Sequence, residues 1–285
     1  MSFSDRLRRL IPRPLRPDVP TVPVVRLTGT IGVATPLRPG LMMSSIARTL
    51  ERAFAVHGAR AVALLINSPG GSPAQSHLIY GRIRQLAEEK KLPVYAFIED
   101  VGASGGYMLA CAGDEIICDP YAIVGSIGVI GGSFGFVDAI QKLGIERRIY
   151  TSGERKAMLD PFLPEKPDDV ARIHALQTDI HAHFIQLVKT RRGARLNGSD
   201  ETLFSGEFWV ADRAIELGLA DRIGDVRSEM RRRYGEKVKL QLIEGERSWI
   251  GRQLPGVMSG AQIDASPDAL ISAIEARALW SRFGL

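Results

Sequence analysis

The stretch IEDVGASGGYMLACAG, residues 98–113, sets one serine among residues with almost no side chain. Gly102 precedes Ser104 closely, and Gly105 and Gly106 follow it. An apolar run typical of a buried strand comes before this group, and a helix-like run comes after it. Two interpretations remain open. The serine either caps the helix in an ordinary turn, or it is presented as a nucleophile at a strand-to-helix turn.

Outward from this stretch, strand-like and helix-like patterns alternate along the chain. Strands are predicted at residues 22–31, 60–67, 92–98, 114–119 and 145–151. Helices are predicted at residues 44–58, 73–91, 134–144, 167–192 and 205–218, with a further one directly after Ser104. This alternation is typical of an α/β fold with a mainly parallel sheet and crossover helices.

Composition limits the class of protein. The chain has 285 residues, of which 45% are apolar and 24% are charged, which suits a soluble globular protein with one large core. No apolar run approaches the ~18 residues of a membrane span, and no signal peptide is recognised. Cys111 and Cys118 lack the spacing of a zinc site, so we expect buried thiols, no metal and a cytoplasmic location.

The first 20 residues differ from the rest. Their formal charge is +3, from five arginines against Asp5 and Asp18. Four apolar side chains would share one face of a short helix that could lie on the inner face of the cell membrane, although a disordered tail is the alternative. They are Phe3, Leu7, Leu10 and Ile11. We therefore predict a basic tail at 1–20, a main domain at 21–240 and an extension at 241–285.

Two more glycine-rich segments follow predicted strands. INSPGGS, residues 66–72, leaves the backbone N–H groups of Gly70 and Gly71 free to point into a site, as in an oxyanion hole. A phosphate-binding turn is the alternative, but the chain contains no G-x-G-x-x-G and no Gly-Lys pair. The second segment, residues 125–135, contains Ser126.

A serine nucleophile needs a base. None of the five histidines follows a strand, although His181 and His183 leave an opening for a histidine-dependent ester hydrolase. Lysine is the other known base, when burial and its neighbours favour the neutral amine. Lys156 is the candidate, because it follows a predicted strand and lies between Gly153 and an apolar run.

Five segments together resemble the signal peptide peptidase A family of serine peptidases, including its short SohB-like members. The segments are INSPGGS, DVGASGGYMLACAGDEIICDP, VGSIGVI, GERKAMLDPF and LFSGEFWVADRAIELGLADRIG, in this order. The resemblance covers about residues 22–235. It implies a fold related to the Clp protease proteolytic subunit and the crotonases, and a Ser-Lys dyad.

The resemblance also implies roles for single residues. Ser104 would be the nucleophile, Lys156 the general base, and Ser126 the hydroxyl that orients the lysine. Backbone amides at Gly71 and Gly105 would receive the oxyanion. Small residues near the site, namely Gly70, Ser72 and Gly102, are expected to line a groove for an extended peptide.

The expected partners follow from the same resemblance. They are extended or unfolded peptides, among them signal peptide remnants, and further copies of the chain in a homo-oligomeric ring; neither a cofactor nor nucleic acid is expected. The family's N-terminal membrane anchor is not recognised here, and Arg155 stands beside the base where many relatives have an aromatic residue. A crotonase-like acyl-CoA enzyme and a non-catalytic scaffold of the same fold are the alternatives.

Overall fold

The computed structural model describes residues 19–32, 40–153, 155–244 and 267–284. Its strands are β1 (Thr21–Thr28), β2 (Val62–Ser68), β3 (Val94–Ala103), β4 (Glu115–Cys118), β5 (Ile123–Gly125), β6 (Phe208–Val210), β7 (Arg222–Ile223) and β8 (Lys239–Leu242). Its helices are α1 (Met43–Phe54), α2 (Pro73–Lys90), α3 (Gly105–Ala110), α4 (Val137–Lys142), α5 (Pro167–Arg192), α6 (Asp200–Leu203), α7 (Ala211–Glu216), α8 (Val226–Tyr234) and α9 (Pro267–Ser281).

The strands form one sheet in the order β6-β5-β3-β2-β1-β8, with β4 and β7 alongside. All strand pairs are parallel except the antiparallel pair of β5 with β6. The sheet is therefore mainly parallel, as the alternation of strands and helices predicts. The long strand β3 pairs with β4 along its first half and with β5 along its second. The carboxyl ends of β2, β3 and β5 therefore meet at one edge of the sheet.

Helices cover both faces of this sheet, which explains why its central strands are apolar at almost every position. On β2, Val62, Leu64 and Ile66 face one core, whereas Ala63 and Leu65 face the other. The larger core also takes side chains from α1, α2, α3, α5 and α7, and the smaller one takes Met230 of α8.

The long helix α5 is held at its C-terminal end. Arg192 is buried there and makes a two-pronged ion pair with Asp221, with N···O distances of 2.8 and 2.9 Å. Its neighbour Arg191 donates to the carbonyl oxygens of Cys111 and Gly113. The opposite end of α5 has no such anchor, since none of the described residues from 128 to 183 is buried.

Three sequence predictions need correction. Residues 145–151 form no strand, because the side of β5 that a further strand could join is taken by β6. The helix predicted at 134–144 is only α4, residues 137–142, and the helix predicted at 205–218 is preceded by β6 before α7 begins. At residues 208–210, pairing with β5 overrides the local helix pattern, because Trp209 lies opposite Val124.

The described end of the chain returns to the sheet. Trp280 and Phe283 pack against Val101 and Ala103 of β3, and the rings of Phe283 and Phe208 lie 5.0 Å apart. Most of the predicted N-terminal tail, residues 1–18, and residues 245–266 of the predicted extension lie outside the described residues. In the described part of the chain, no helix has the length and hydropathy needed to cross a membrane.

Candidate active site

Ser104 occupies the turn between β3 and α3. Its φ of 51° and ψ of −122° are unusual for a residue with a side chain, and such backbone strain costs about 1–3 kcal/mol. The surrounding structure holds it there, because its amide donates to the carbonyl of Gly125 at 2.8 Å and its carbonyl accepts from the amide of Met108 at 3.0 Å.

The hydroxyl of Ser104 makes no hydrogen bond that caps α3, although the residue stands at the capping position. The simple capping interpretation of this serine is therefore wrong. The side chain is half-buried and lines a narrow cleft together with Gly71, Gly105, Gly128 and Ile180. The strained turn thus places Ser104 in the wall of this cleft.

The glycines that follow β2 lie directly against this serine. Gly70 has a φ of 102°, and a Cβ atom there would fall 2.7 Å from the Cβ of Ser104 and 2.8 Å from the amide nitrogen of Gly105. Gly71 has a φ of 141° and packs on the carbonyl of Ile31. Glycine is required at both positions, because a side chain would need a strained backbone and would strike neighbouring backbone.

Gly105 is equally confined, since a Cβ atom there would strike the hydroxyl of Ser76 on α2. The two predicted amide positions, Gly71 and Gly105, line the same cleft as Ser104. Gly102 differs, because it is buried within β3 between Ser68 of β2 and Val124 of β5. It lies inside the sheet rather than at an open groove.

Ser126 follows β5 and is 4% exposed. It too has a positive φ, 53°, and its amide donates to the carbonyl of Glu207 at 2.6 Å. Because Gly125 pairs with Ala103, Ser126 and Ser104 leave two adjacent parallel strands at the same level. The structure therefore brings Ser104, Ser126 and the two glycine segments together.

Lys156 is not part of this group. It lies in an exposed turn, outside the lining of the Ser104 cleft. Arg155 is exposed as well, although the apolar residues that follow, Ala157 to Leu159, are half-buried. The physical reason is that the whole segment from 128 onward leaves the core.

A larger cavity of about 570 Å³ adjoins the Ser104 cleft. The two share Pro73, Met108, Ile180 and Phe184, so they lie next to each other. Ser72, whose hydroxyl caps α2, and His77, His183 and Leu187 complete much of the lining of the larger cavity. Sequence patterns did not indicate these residues as a group, because they come from three helices that only the fold brings together.

The histidines and cysteines have separate places. His181 forms a hydrogen bond from Nε2 to the carbonyl of Ile127 at 3.0 Å. Burial raises the pKa of Cys111 and of Cys118 to about 12, so both are inert thiols at neutral pH. Within the described residues, no group of histidine, cysteine and carboxylate side chains has the arrangement of a metal site.

Comparison with known proteins agrees with this geometry. The family model of peptidase family S49 matches residues 86–240, so the chain belongs to that family of serine-type peptidases. A putative protease of Synechocystis is 30% identical over 79% of this chain and 80% of its own length. Protease 4 of Haemophilus influenzae is 32% identical over 79% of this chain but only 36% of its own.

Two Brucella proteins match more of the chain. The protein from Brucella abortus, named Na(+)/H(+) antiporter NhaA, is 53% identical over 98% of this chain. The match covers 39% of the Brucella protein, and the same share holds for the relative from Brucella melitensis. The chain thus spans well under half the length of these relatives, whose name describes the longer proteins.

Solved structures confirm the fold. The 1510-N membrane-bound stomatin-specific protease, as a serine-to-alanine mutant, gives a TM-score of 0.50 at 15% identity, over 80% of this chain and 99% of its own. Its lysine-to-alanine mutant with a substrate peptide gives 0.52 at 16% identity, over 90% and 98%. The predicted α/β fold of the Clp-protease and crotonase type is therefore confirmed, and these likenesses show the fold alone.

Proposed function

We propose that the chain is a serine endopeptidase that cleaves extended or unfolded peptides, signal peptide remnants among them, with Ser104 as nucleophile and Lys156 as general base. The strained backbone of Ser104, together with a hydroxyl that does not cap α3, carries this proposal. A serine that merely ended a strand would not need such a conformation. Membership of peptidase family S49 supports hydrolysis of peptide bonds.

The mechanism assigns one task to each group. Lys156, as a neutral amine, takes the proton of Ser104 while the hydroxyl oxygen attacks the peptide carbonyl. The amides of Gly71 and Gly105 donate to the tetrahedral oxyanion, and Ser126 orients the lysine. The lysine then protonates the leaving amine, and water hydrolyses the acyl-enzyme.

The substrate would bind in the cleft and cavity beside Ser104. The carbonyl of Gly70 and the amide of Ser72 are bonded to Ile31, so the backbone of Gly71 is the part of this segment against which an extended peptide would pair. The adjoining cavity of about 570 Å³, lined by Met108, Phe184 and Leu187, has the size and polarity for a large apolar side chain. A structural neighbour solved with a substrate peptide supports peptides as the substrate class.

The exposed position of Lys156 requires a further component. Five large apolar side chains between residues 130 and 150 are at least 55% exposed, namely Ile130, Phe134, Leu143, Ile145 and Tyr150. Exposed apolar surface of this kind is typical of a protein interface. We therefore keep the homo-oligomeric ring as part of the proposal, with neighbouring copies covering the segment that carries the lysine.

Membrane contact through the N-terminal tail is a separate part of the proposal. The basic N-terminal tail lies outside the described residues, so its role depends on its sequence alone. Reversible, salt-sensitive flotation with anionic vesicles, lost when residues 1–18 are deleted, would support peripheral binding. Equal flotation of the full and truncated chains would contradict it.

A fluorophosphonate probe followed by mass spectrometry tests the central claim. We expect one adduct, on Ser104, and loss of peptide cleavage as the adduct forms; the Ser104→Ala variant should take up no probe. An adduct on another serine that tracks with loss of activity would contradict the assignment. A folded, assembled protein with neither adduct nor cleavage would favour the non-catalytic scaffold.

A further inference from the structure

The loop that follows β5 connects the two halves of the site. It begins at Gly125, whose carbonyl accepts from the amide of Ser104, and it carries Ser126. Two residues later, Gly128 and then Val129 line the cleft beside Ser104. The position of this loop therefore decides both where Ser126 points and how wide the cleft is.

Helix α5 runs along the same loop. The stripe of residues Gln177, His181, Phe184 and Val188 lies on one face of the helix, at spacings of three and four residues. Phe184 and Val188 are buried in the core, so the face points inward. At its outer end, the side-chain amide of Gln177 lies against Gly131, within 3.0 Å of where a Cβ atom would be.

His181 makes the polar contact between this face and the loop. Its Nε2 lies 3.0 Å from the carbonyl oxygen of Ile127, the residue after Ser126. A carbonyl oxygen only accepts, so this nitrogen carries the hydrogen and donates it. Ile127 as a whole is fully buried, so its carbonyl depends on a partner within the protein such as His181.

The strained conformation of Ser126 explains why the loop needs such a support. A positive φ at a residue with a side chain persists only where the surroundings impose it. The amide of Ser126 is held by the carbonyl of Glu207, and its carbonyl accepts from Gly128 at 3.0 Å. The bond from His181 holds the intervening carbonyl of Ile127, so three consecutive residues are restrained.

From these contacts we infer that His181 is a positioning residue of the peptidase site: its Nε2–H bond to Ile127 holds the loop that carries Ser126 and forms one wall of the Ser104 cleft. The kinetic test of this inference rests on the proposed function, whereas its hydrogen-exchange test rests on the structure alone.

Four variants test the inference. His181→Gln keeps an N–H donor near the position of Nε2, His181→Asn is too short to reach Ile127, and His181→Leu removes the donor. His174→Leu changes an exposed histidine two turns earlier on the same helix and serves as the control. Peptide cleavage, fluorophosphonate labelling of Ser104, melting temperature and amide hydrogen exchange are measured for each.

We expect His181→Leu and His181→Asn to lower kcat and the labelling rate about tenfold with KM little changed, and His181→Gln to stay within about threefold of the parent. The amides of Ser126 and Gly128 should exchange about tenfold faster in the first two variants and not in the third. The His174→Leu control should match the parent in all four measurements.

Several outcomes would overturn the inference. Unchanged amide hydrogen exchange at Ser126 and Gly128 in both His181→Leu and His181→Asn would show that the bond does not hold the loop. Equal loss of activity in His181→Gln and His181→Leu would show that the ring, not the donor, matters. If the parent neither cleaves peptides nor takes up the probe, the proposed function fails, while the exchange measurements still decide the role of the bond.

Discussion

The two sides of the candidate site differ in how deeply their residues are buried. Around Ser104, three parallel strands end together, and the core below them is fully buried. Around Lys156, none of the described residues from 128 to 183 is buried. The difference indicates that one folded chain is sufficient to shape the turn at Ser104 and the glycine turns beside it, whereas the proposed base, Lys156, lies on the exposed side.

The largest effect should come from the side of the site around Ser104, here called the ordered side. We expect Ser104→Ala to lower peptide cleavage at least 1000-fold, on the order of what loss of a serine nucleophile costs in other enzymes. The melting temperature should stay within about 2 °C, because the substitution removes one oxygen atom from a half-buried site. Cleavage rates and thermal melting measure both quantities.

The exposed Ser133 supplies the control for that variant. Ser133→Ala should cleave peptides like the parent. If purified Ser104→Ala protein still cleaved peptides, Ser104 would not be the nucleophile, and its side of the site would take no part in the chemistry.

The second prediction concerns the exposed side. Lys156→Arg should lower cleavage about 1000-fold, because arginine cannot give up its proton at any pH at which the protein is folded. Rate measurements, beside the matched variant Lys142→Arg, provide the check; an active Lys156→Arg enzyme would require a different base.

The third prediction tests the anchor of α5, the helix that extends from the ordered side to the exposed side. Burial alone would raise the pKa of Asp221, but hydrogen bonds from Arg192 and the amide of Ile116 outweigh it and lower the pKa. A carboxylate whose pKa is lowered by folding stabilises the folded state at pH values above the ordinary aspartate pKa of about 4. This stabilisation is lost as the pH falls through the lower pKa of the folded state.

We therefore expect Asp221→Asn to lower the free energy of unfolding by about 3 kcal/mol at pH 7, because Arg192 is left buried without a counter-charge. The difference from the parent should shrink in acid. Asp200→Asn, which breaks an exposed pair with Lys189 near the same helix, should cost under about 0.5 kcal/mol. Denaturant unfolding at pH 7 and pH 3 measures both, and similar losses in the two variants would contradict the anchor.

The smallest predicted effect compares two glycines. Gly70→Ala should cost about 2 kcal/mol of stability, because the new methyl group meets Ser104 and Gly105 at under 3 Å and the backbone has a positive φ. At Gly132, in the exposed segment, a Cβ atom would meet nothing within 4 Å, so Gly132→Ala should change stability by under about 0.5 kcal/mol. Equal costs would show that the two regions are not as different as their contacts indicate.

Most of the fold was predictable because local patterns and long-range packing agree. The apolar runs at β2 and β3 predicted buried parallel strands, and the 26-residue helix α5 was predicted with its observed bounds. The failure at residues 145–151 has a specific cause, since the strand edge beside β5 is taken by β6. A single sequence contains no sign that β6 occupies that edge.

The predicted site is divided in the same way. Ser104, Ser126, Gly71 and Gly105 come together because each lies at or just after the end of a strand or turn, and parallel topology gathers those ends. Lys156 was identified by its neighbours in sequence and by family resemblance, and its role stays a prediction. The support of the loop by His181 was invisible, because Ile127 and His181 are 54 residues apart.

The sequence by itself determined the alternation of strands and helices, the glycines that only a positive φ or a close approach can explain, and the family to which the chain belongs. These follow from short-range rules, since periodicity and small side chains act within a few residues. The tertiary structure alone decided which strand takes the edge beside β5, that the hydroxyl of Ser104 leaves α3 uncapped, and that His181 reaches Ile127. Those outcomes depend on contacts between distant segments, which form only when the whole sheet and the helices on its faces have packed together.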